Sequence, residues 1–97
     1  MLPHFLTFKY LKRTVSIEAV LNARGLSTHL KKRRDQLFGP CAVHGGDNPH
    51  AFVVNLSKNI WHCFTKCNGG GAVVELVRRM DSKTYYEAAQ YLASLNP

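Results

Sequence analysis

The chain has 97 residues, enough for one small domain, and its 13 Lys and Arg outnumber six Asp and Glu, so the formal charge is +7. A domain this short buries a smaller fraction of its surface than a larger one, so a metal or a covalent cross-link would add useful stability. The positive charge indicates an acidic partner, above all nucleic acid, and no segment is both amphipathic and basic, which disfavours a membrane partner.

The N-terminal stretch MLPHFLTFKYLKR lacks the continuous apolar core of a signal peptide or a membrane span. Its few apolar residues are interrupted by proline, histidine and lysine. We therefore expect a loose N-terminal extension over residues 1–13 and a single domain over residues 14–97.

The segment SIEAVLNARG predicts a short amphipathic helix, with Ser16 as N-cap, Glu18 in the first turn and Gly25 as the stop signal. The segment THLKKRRDQLFGP that follows is too charged to be buried on both faces. Its central Arg34-Asp35 favours a hairpin or an exposed sheet edge.

The segments AFVVNL and NIWHCF are rich in β-branched and aromatic residues, and the SKN sequence between them supplies turn chemistry, so we expect a second hairpin. After three glycines, the apolar spacing becomes helical from Val73 to Met80. Thr84 and Glu87 match a capping box that begins another helix, ending near Leu95. The fold class is therefore α+β, with an antiparallel β-hairpin core flanked by short helices.

All three cysteines lie in or beside the second predicted hairpin. Cys41 and His44 are separated by two residues and Cys63 and Cys67 by three, with 18 residues between the two pairs. Three cysteines cannot pair among themselves, and the odd number favours a reduced chain. Structural zinc is commonly bound by two ligands from each of two turns that a hairpin brings together. The spacing therefore predicts one structural Zn²⁺ in a small zinc-ribbon-like fold.

Three histidines could supply the fourth ligand. His62 directly precedes Cys63, and neighbours on a strand point to opposite faces, so both cannot easily reach one ion. His50 lies outside either tight turn, so we assign His44. Four protein ligands leave no open position for water, which argues against a catalytic zinc. The alternative is that these are ordinary reduced cysteines and scattered histidines.

An aromatic residue surrounded by positive charge is typical of a single-strand platform, where bases stack on rings and Lys or Arg contacts phosphates. Trp61 is the stacking candidate, although it and Phe52 could instead be core residues packed under the helix that begins at Val73. The basic run at residues 31–34 could equally be a solvated hairpin that protects a sheet edge. The predicted nucleic-acid contacts are Trp61, Lys31, Lys32, Arg33, Arg34, Lys58, Lys66 and His62.

The stretch CAVHGGDNPHAFVVNLSKNIWHCFTKCNGGGAVVELVRRM resembles the N-terminal zinc-binding domain of bacterial DnaG-type DNA primases. The resemblance covers about residues 16–95 and includes the Cys-x-x-His turn, the Asn-Pro-x-x-Phe segment, the aromatic-His-Cys-Phe run and the glycines before an apolar helix. Two features differ from the family, which usually has two residues between its last two cysteines and often has an acidic or amide residue where this chain has Ala72.

The resemblance implies a Cys-His-Cys-Cys ligand set, carried here by Cys41, His44, Cys63 and Cys67. It also implies recognition of single-stranded template DNA and help for a catalytic part that begins a primer. The family's catalytic Toprim domain has no counterpart among six scattered acidic residues. We therefore expect no catalytic residues and no enzyme activity from this chain alone.

The expected function is that of a free-standing, non-catalytic zinc module that binds DNA, above all single-stranded template, in a primase-like or mobile-element replication context. Expected partners are nucleic acid and a separate primase catalytic subunit or helicase, in the bacterial cytoplasm at the nucleoid. The alternative is a zinc-stabilised adaptor that binds another protein, or a regulator that binds duplex DNA.

Overall fold

The computed structural model describes residues 6–95. Within that range the chain forms four α-helices, a 3-10 turn and five β-strands, which confirms the α+β class. In chain order the elements are α1 (Phe8–Thr14), α2 (Ile17–Ala23), the 3-10 turn (Ser27–His29), β1 (Lys31–Arg33), β2 (Gln36–Gly39), β3 (Phe52–Asn55), β4 (Ile60–Cys63), β5 (Gly69–Gly71), α3 (Val73–Asp81) and α4 (Tyr85–Leu95).

The two predicted hairpins join into one antiparallel sheet with the strand order β1-β2-β3-β4-β5. The three glycines before α3, in which the sequence pattern predicted no strand, form β5 and pair with Trp61, His62 and Cys63 of β4. At Gly70 a Cβ would collide with the carbonyl oxygen of Trp61. Only glycine therefore allows this edge strand to approach β4 so closely.

The two faces of the sheet have different environments, because side chains alternate along each strand. One face packs against the helices and buries Leu37, Phe52, Val54, Trp61 and Cys63. No helix among the described residues covers the opposite face, which we call the open face. Register places on it Lys31, Arg33, Gln36, Phe38, Val53, Asn55, Ile60, His62 and Gly70.

Residues 6–13, the described part of the predicted loose extension, pack against the domain, so the prediction that they are loose is corrected. Thr7 caps α1 by accepting a hydrogen bond from the Tyr10 N–H, and Leu11 of that helix is fully buried. Leu6 is also in the core, where its carbonyl accepts a hydrogen bond from the Tyr85 hydroxyl. Both leucines are buried, and α1 packs against α3 and α4, so this segment is part of the domain. Residues 1–5 lie outside the described range.

The helices of this domain are short. The longest in residues 6–95 is α4, with 11 residues, whereas crossing a bilayer takes about 20. None of the described helices has the length and apolar character of a membrane span.

Candidate metal centre and adjoining sheet face

The four predicted ligands lie at one end of the sheet. Cys41 and His44 are in the turn after β2, which is closed by a hydrogen bond from the Gly45 N–H to the Cys41 carbonyl. Cys63 is the last residue of β4, and Cys67 lies in the turn before β5. Because β2 and β4 run in the same direction on either side of β3, their ends bring the two turns together.

The ligand atoms are spaced as a tetrahedral zinc site requires. All four lie within 4.8 Å of one another, and Cys41 Sγ is 3.8 Å from Cys67 Sγ. Usual zinc bond lengths predict about 3.8 Å between two sulfurs and about 3.5 Å between sulfur and nitrogen. His44 Nδ1 lies 3.6 Å from Cys63 Sγ and 3.0 Å from Cys67 Sγ. The three-residue spacing between the last two cysteines therefore still closes the site.

Neighbouring polar groups orient the ligands. The Val43 N–H donates to Cys41 Sγ at 3.3 Å. Thr65 Oγ1 lies 3.6 Å from Cys63 Sγ and 3.5 Å from His44 Nε2, the ring nitrogen that faces away from the other ligands. Such contacts fix the tautomer and orientation of a metal-bound imidazole, so the Thr65 hydroxyl is a positioning group for two ligands at once.

Burial and crowding give the thiols different acidities. Burial disfavours the Cys63 thiolate, but hydrogen bonds from the side chain and backbone of Thr65, and from Cys67 and Cys41, outweigh it and lower the pKa of Cys63 to about 6. Burial raises the pKa of Cys67 to about 12, and the neighbouring Cys41 and Cys63 add to the rise. A divalent cation removes this conflict because it binds thiolates directly. The donor set and its spacing confirm one structural zinc.

Trp61 is not on the surface, so the prediction that it stacks on bases is wrong. Its side chain is 2% exposed and tilts against Phe52, with ring centroids 5.8 Å apart. The indole N–H donates to the Ala72 carbonyl at 3.0 Å, just before α3. Trp61 is therefore a core residue, the alternative that the sequence left open. The register of β4 places its side chain on the core face, whereas its neighbours Ile60 and His62 point to the open face.

The predicted basic contacts in β1 and the turn after it do not all lie on the same side of the sheet. Lys31 and Arg33 lie on the open face, and Arg34 is next to them in the β1–β2 turn with a positive φ of 58°. Lys32 lies on the other side of β1, where its ammonium is 3.8 Å from the Glu18 carboxylate. It is therefore not part of the open face.

Of the remaining predicted contacts, the two lysines lie at opposite ends of the sheet and His62 lies on the open face. Lys66 is exposed in the turn between the last two ligands, whereas Lys58 is exposed in the β3–β4 turn, at the far end of the strands. His62 is half-buried on the open face. Its ring contacts that of Phe64, with centroids 4.3 Å apart.

The open face carries apolar and aromatic side chains that we did not predict as contacts. Phe64 is 62% exposed and Ile60 38% exposed, and Phe38 and Val53 are half-buried beside them. The sequence shows the alternation of side chains along β2, β3 and β4. Which of the alternating side chains point away from the core depends on the register of all three strands.

Comparison with known proteins places this chain among primase zinc domains. The family model described as the CHC2 zinc finger, the DnaG zinc ribbon, matches residues 5–96. The DNA primase of Halalkalibacterium halodurans is 32% identical over 87 residues, and that of Geobacillus stearothermophilus is 33% identical over 88. The DNA primase of Streptomyces coelicolor is 34% identical over 88 residues.

A solved structure shows the same fold. The zinc-binding and RNA polymerase domains of the Aquifex aeolicus primase match with a TM-score of 0.74 and 29% identity, over 96% of this chain and 21% of that one. The alignments to the first two primases cover 90% and 91% of this chain but 14% of each primase. The match is therefore to the zinc-binding part of much longer proteins.

Proposed function

The chain belongs to the CHC2 zinc-finger family of DnaG-type primase zinc ribbons, and from that premise we propose that it binds single-stranded template DNA on the open face of its sheet. In this proposal it is a recognition module and does not itself join nucleotides. The observation that carries the proposal is the contact between the exposed ring of Phe64 and the half-buried ring of His62, on a sheet face with basic residues at one edge.

The half of the open face next to β5 has the shape and chemistry of a stacking site. A cavity of about 480 Å³ lies there, lined by Val53, Ile60, His62, Phe64 and Gly70 among others. Phe64 is 62% exposed and lies on the same face as Ile60, which is 38% exposed, and grouped apolar exposure of this kind is typical of interaction sites. Bases stack on such rings regardless of sequence, because every base has a π-face.

The half of the open face next to β1 continues the same surface. A smaller cavity of about 160 Å³ is lined by Lys31, Phe38, His29 and His50, together with Gly39 and two prolines. Phe38 and His62 are paired with the same residue of β3, Val53, so they lie about 10 Å apart across it. An extended strand crossing the sheet would meet one ring and then the other.

Charge is distributed to favour phosphate on this side of the molecule. On α2 and α3 the bases are paired with acids, since Glu75 bonds Arg78 and Arg79 and Asp81 bonds Arg24. Lys31, Arg33 and Arg34 make no ion pair within residues 6–95. Their positive charge is therefore available to follow a nucleic-acid backbone.

Binding measurements on labelled oligonucleotides test this proposal. The zinc-loaded protein should bind a single strand more tightly than the matching duplex, with affinity falling as salt rises by a slope of about 0.7 per phosphate contacted. Phe64→Ala should cost about 1–2 kcal/mol, or roughly five- to thirtyfold in affinity. Tyr86→Ala is the matched control, because Tyr86 is also exposed but lies on α4.

Two results would contradict the proposal. Equal binding of single strand and duplex, unaffected by Phe64→Ala, would favour the duplex-binding regulator. Absence of binding to either at low salt would favour the protein adaptor.

The wider setting we propose is priming of replication in bacteria, at the nucleoid or on a mobile element. A primase catalytic unit, on this or another chain, would then act on the template that the zinc module holds, with a helicase as a further partner. Similarity to the zinc-binding part of bacterial primases supports this setting. Adding the zinc-loaded chain to a related primase that lacks its zinc domain should restore primer synthesis, and no restoration would count against it.

A further inference from the structure

We infer that a groove at the far end of the sheet from the zinc site docks an acidic segment of a partner protein that also carries aliphatic side chains. The groove lies between the α1–α2 connection, the β3–β4 turn and the end of α4, and its volume is about 800 Å³. We call it the distal groove. Its defining residues are Lys12, Arg13, Val15, Leu56, Lys58 and Leu95.

The walls of the distal groove are held in place by a single side chain. Asn59, in the β3–β4 turn with a φ of 55°, donates from Nδ2 to the carbonyls of Lys12 and Val15, both at 3.0 Å. Its Oδ1 accepts a hydrogen bond from the Ile17 N–H at 2.8 Å. Three bonds to residues more than 40 positions away tie the turn to the α1–α2 connection, so the groove is built before any ligand arrives.

The rim of the distal groove is positively charged, and the nearby Asp35 carboxylate accepts a hydrogen bond from the lining residue Ser57 at 3.1 Å. Lys12, Arg13 and Lys58 are exposed, and none makes an ion pair within residues 6–95. No Asp or Glu is among the described residues that line the groove. By contrast, four cations at α2, α3 and the α3–α4 connection each lie within 4 Å of a carboxylate: Arg24, Arg78, Arg79 and Lys83. Charge complementarity therefore selects an acidic occupant.

The floor of the groove distinguishes between acidic peptide and nucleic acid. It is aliphatic, formed by Val15, Ala19, Leu56 and Leu95, and no aromatic ring of the described chain lines it, so bases would find nothing to stack on. The Ser16 and Ser57 hydroxyls, like the amide of Asn59, are already engaged in hydrogen bonds within the chain. Recognition here therefore depends on charge and aliphatic contact, which suits Asp or Glu beside Leu, Ile or Val.

The distal groove is separate from the open face, so this inference does not rest on the proposed function. Of the predicted DNA contacts, Lys58 also lines the distal groove, but it lies in the β3–β4 turn and not on the open face. One molecule could therefore bind a nucleic-acid strand and a partner protein at the same time.

A fluorescein-labelled peptide composed of Glu and Leu is the probe. It should bind the zinc-loaded chain more tightly than a Glu and Gly peptide of equal charge, and a Lys and Leu peptide should not bind. The double variant Lys12→Glu with Arg13→Glu should weaken binding about tenfold or more. Lys9→Glu is the matched control, because Lys9 is exposed on the same helix but does not line the groove.

Amide chemical shifts locate the site and guard against misfolded variants. The Glu and Leu peptide should shift the signals of Val15, Lys58 and Leu95 and leave those of Val53 and His62 in place. Lys58→Glu, in the opposite wall, should weaken binding without disturbing α1. Three results would overturn the inference. Lys9→Glu could weaken peptide binding as much as the double variant does, the Glu and Gly peptide could bind as tightly as the Glu and Leu peptide, or the chemical-shift changes could be confined to the open face.

Discussion

Gly70 occupies a position where the identity of one residue decides whether a strand can pair. A Cβ there would collide with the Trp61 carbonyl and lie 3.0 Å from His62 Cα, and backbone atoms cannot move aside as a flexible side chain can. Gly25 is the useful contrast, because it has a φ of 69° but a Cβ added to it would have no other atom within 4 Å. The first glycine is required by contact and the second only by conformation.

We predict that Gly70→Ala destabilises the domain by about 2–3 kcal/mol, as overpacking does, by separating β5 from β4. Gly25→Ala should cost only about 1 kcal/mol, the strain of a positive φ. Urea unfolding of the zinc-loaded proteins measures both. Equal losses in the two variants would show that β5 does not pack against β4 as closely as the structure has it.

At the scale of elements, one ion pair joins the end of α2 to the end of α3. The Arg24 guanidinium donates two hydrogen bonds to the Asp81 carboxylate, at 2.9 and 2.6 Å, and its Nε donates to the Tyr91 hydroxyl of α4. Three helices therefore meet at one side chain. The hydrogen bonds from Arg24 hold the pKa of Asp81 below its ordinary value, against the opposing effect of burial.

The lowered pKa of Asp81 has a defined consequence for stability. Because the unfolded chain binds the proton more readily, the ion pair contributes fully above the ordinary aspartate pKa of about 4 and is lost as pH falls through the lower folded value. Asp81→Asn should therefore cost about 1–2 kcal/mol at pH 7, and progressively less below about pH 4. Because acid also weakens zinc binding by protonating the thiolate ligands, the variant and the wild type are compared at equal zinc concentration, over the pH range in which both are folded.

Urea unfolding at several pH values checks this prediction. Asp47→Asn is the matched control, since Asp47 is exposed and makes no ion pair within the described residues. A loss from Asp81→Asn that stays constant down to acid pH would mean that the carboxylate charge is not what stabilises the helices.

At the scale of the whole molecule, the zinc site and the core are continuous. Cys41 and Cys63 are buried within the same apolar cluster as Phe52 and Trp61, so the metal closes one end of the core. In so short a chain, binding of a structural metal is a large part of the folding free energy, on the order of 10 kcal/mol. Removing it should release both turns and with them the ends of β2 and β4.

We predict that a chelator removes one zinc per chain and unfolds the domain. Trp61 is the chain's single tryptophan and is two residues from Cys63, so its fluorescence should shift to the red as its indole enters water. Cys67→Ala should behave like the chelated protein, whereas His50→Ala, outside the ligand set, should not. A domain that stays folded without metal would refute a structural role for the site.

Local sequence patterns were enough for most of the elements. Caps and helical spacing identified α2, α3 and α4, and alternating β-branched and aromatic residues identified β3 and β4, because these signals depend on neighbours within one or two turns. The four zinc ligands were also predictable, since zinc requires a short list of residue types at tight spacing.

What the sequence by itself determined was therefore the zinc site, the α+β class and the order of α2, the two hairpins, α3 and α4. Only the tertiary structure decided that Trp61 faces the core, that α1 packs through Leu11, and that Phe38, His62 and Phe64 share one exposed surface. The reason is physical. Each of these depends on register and packing between distant segments, and a shift of one residue along a strand exchanges its buried and exposed sides.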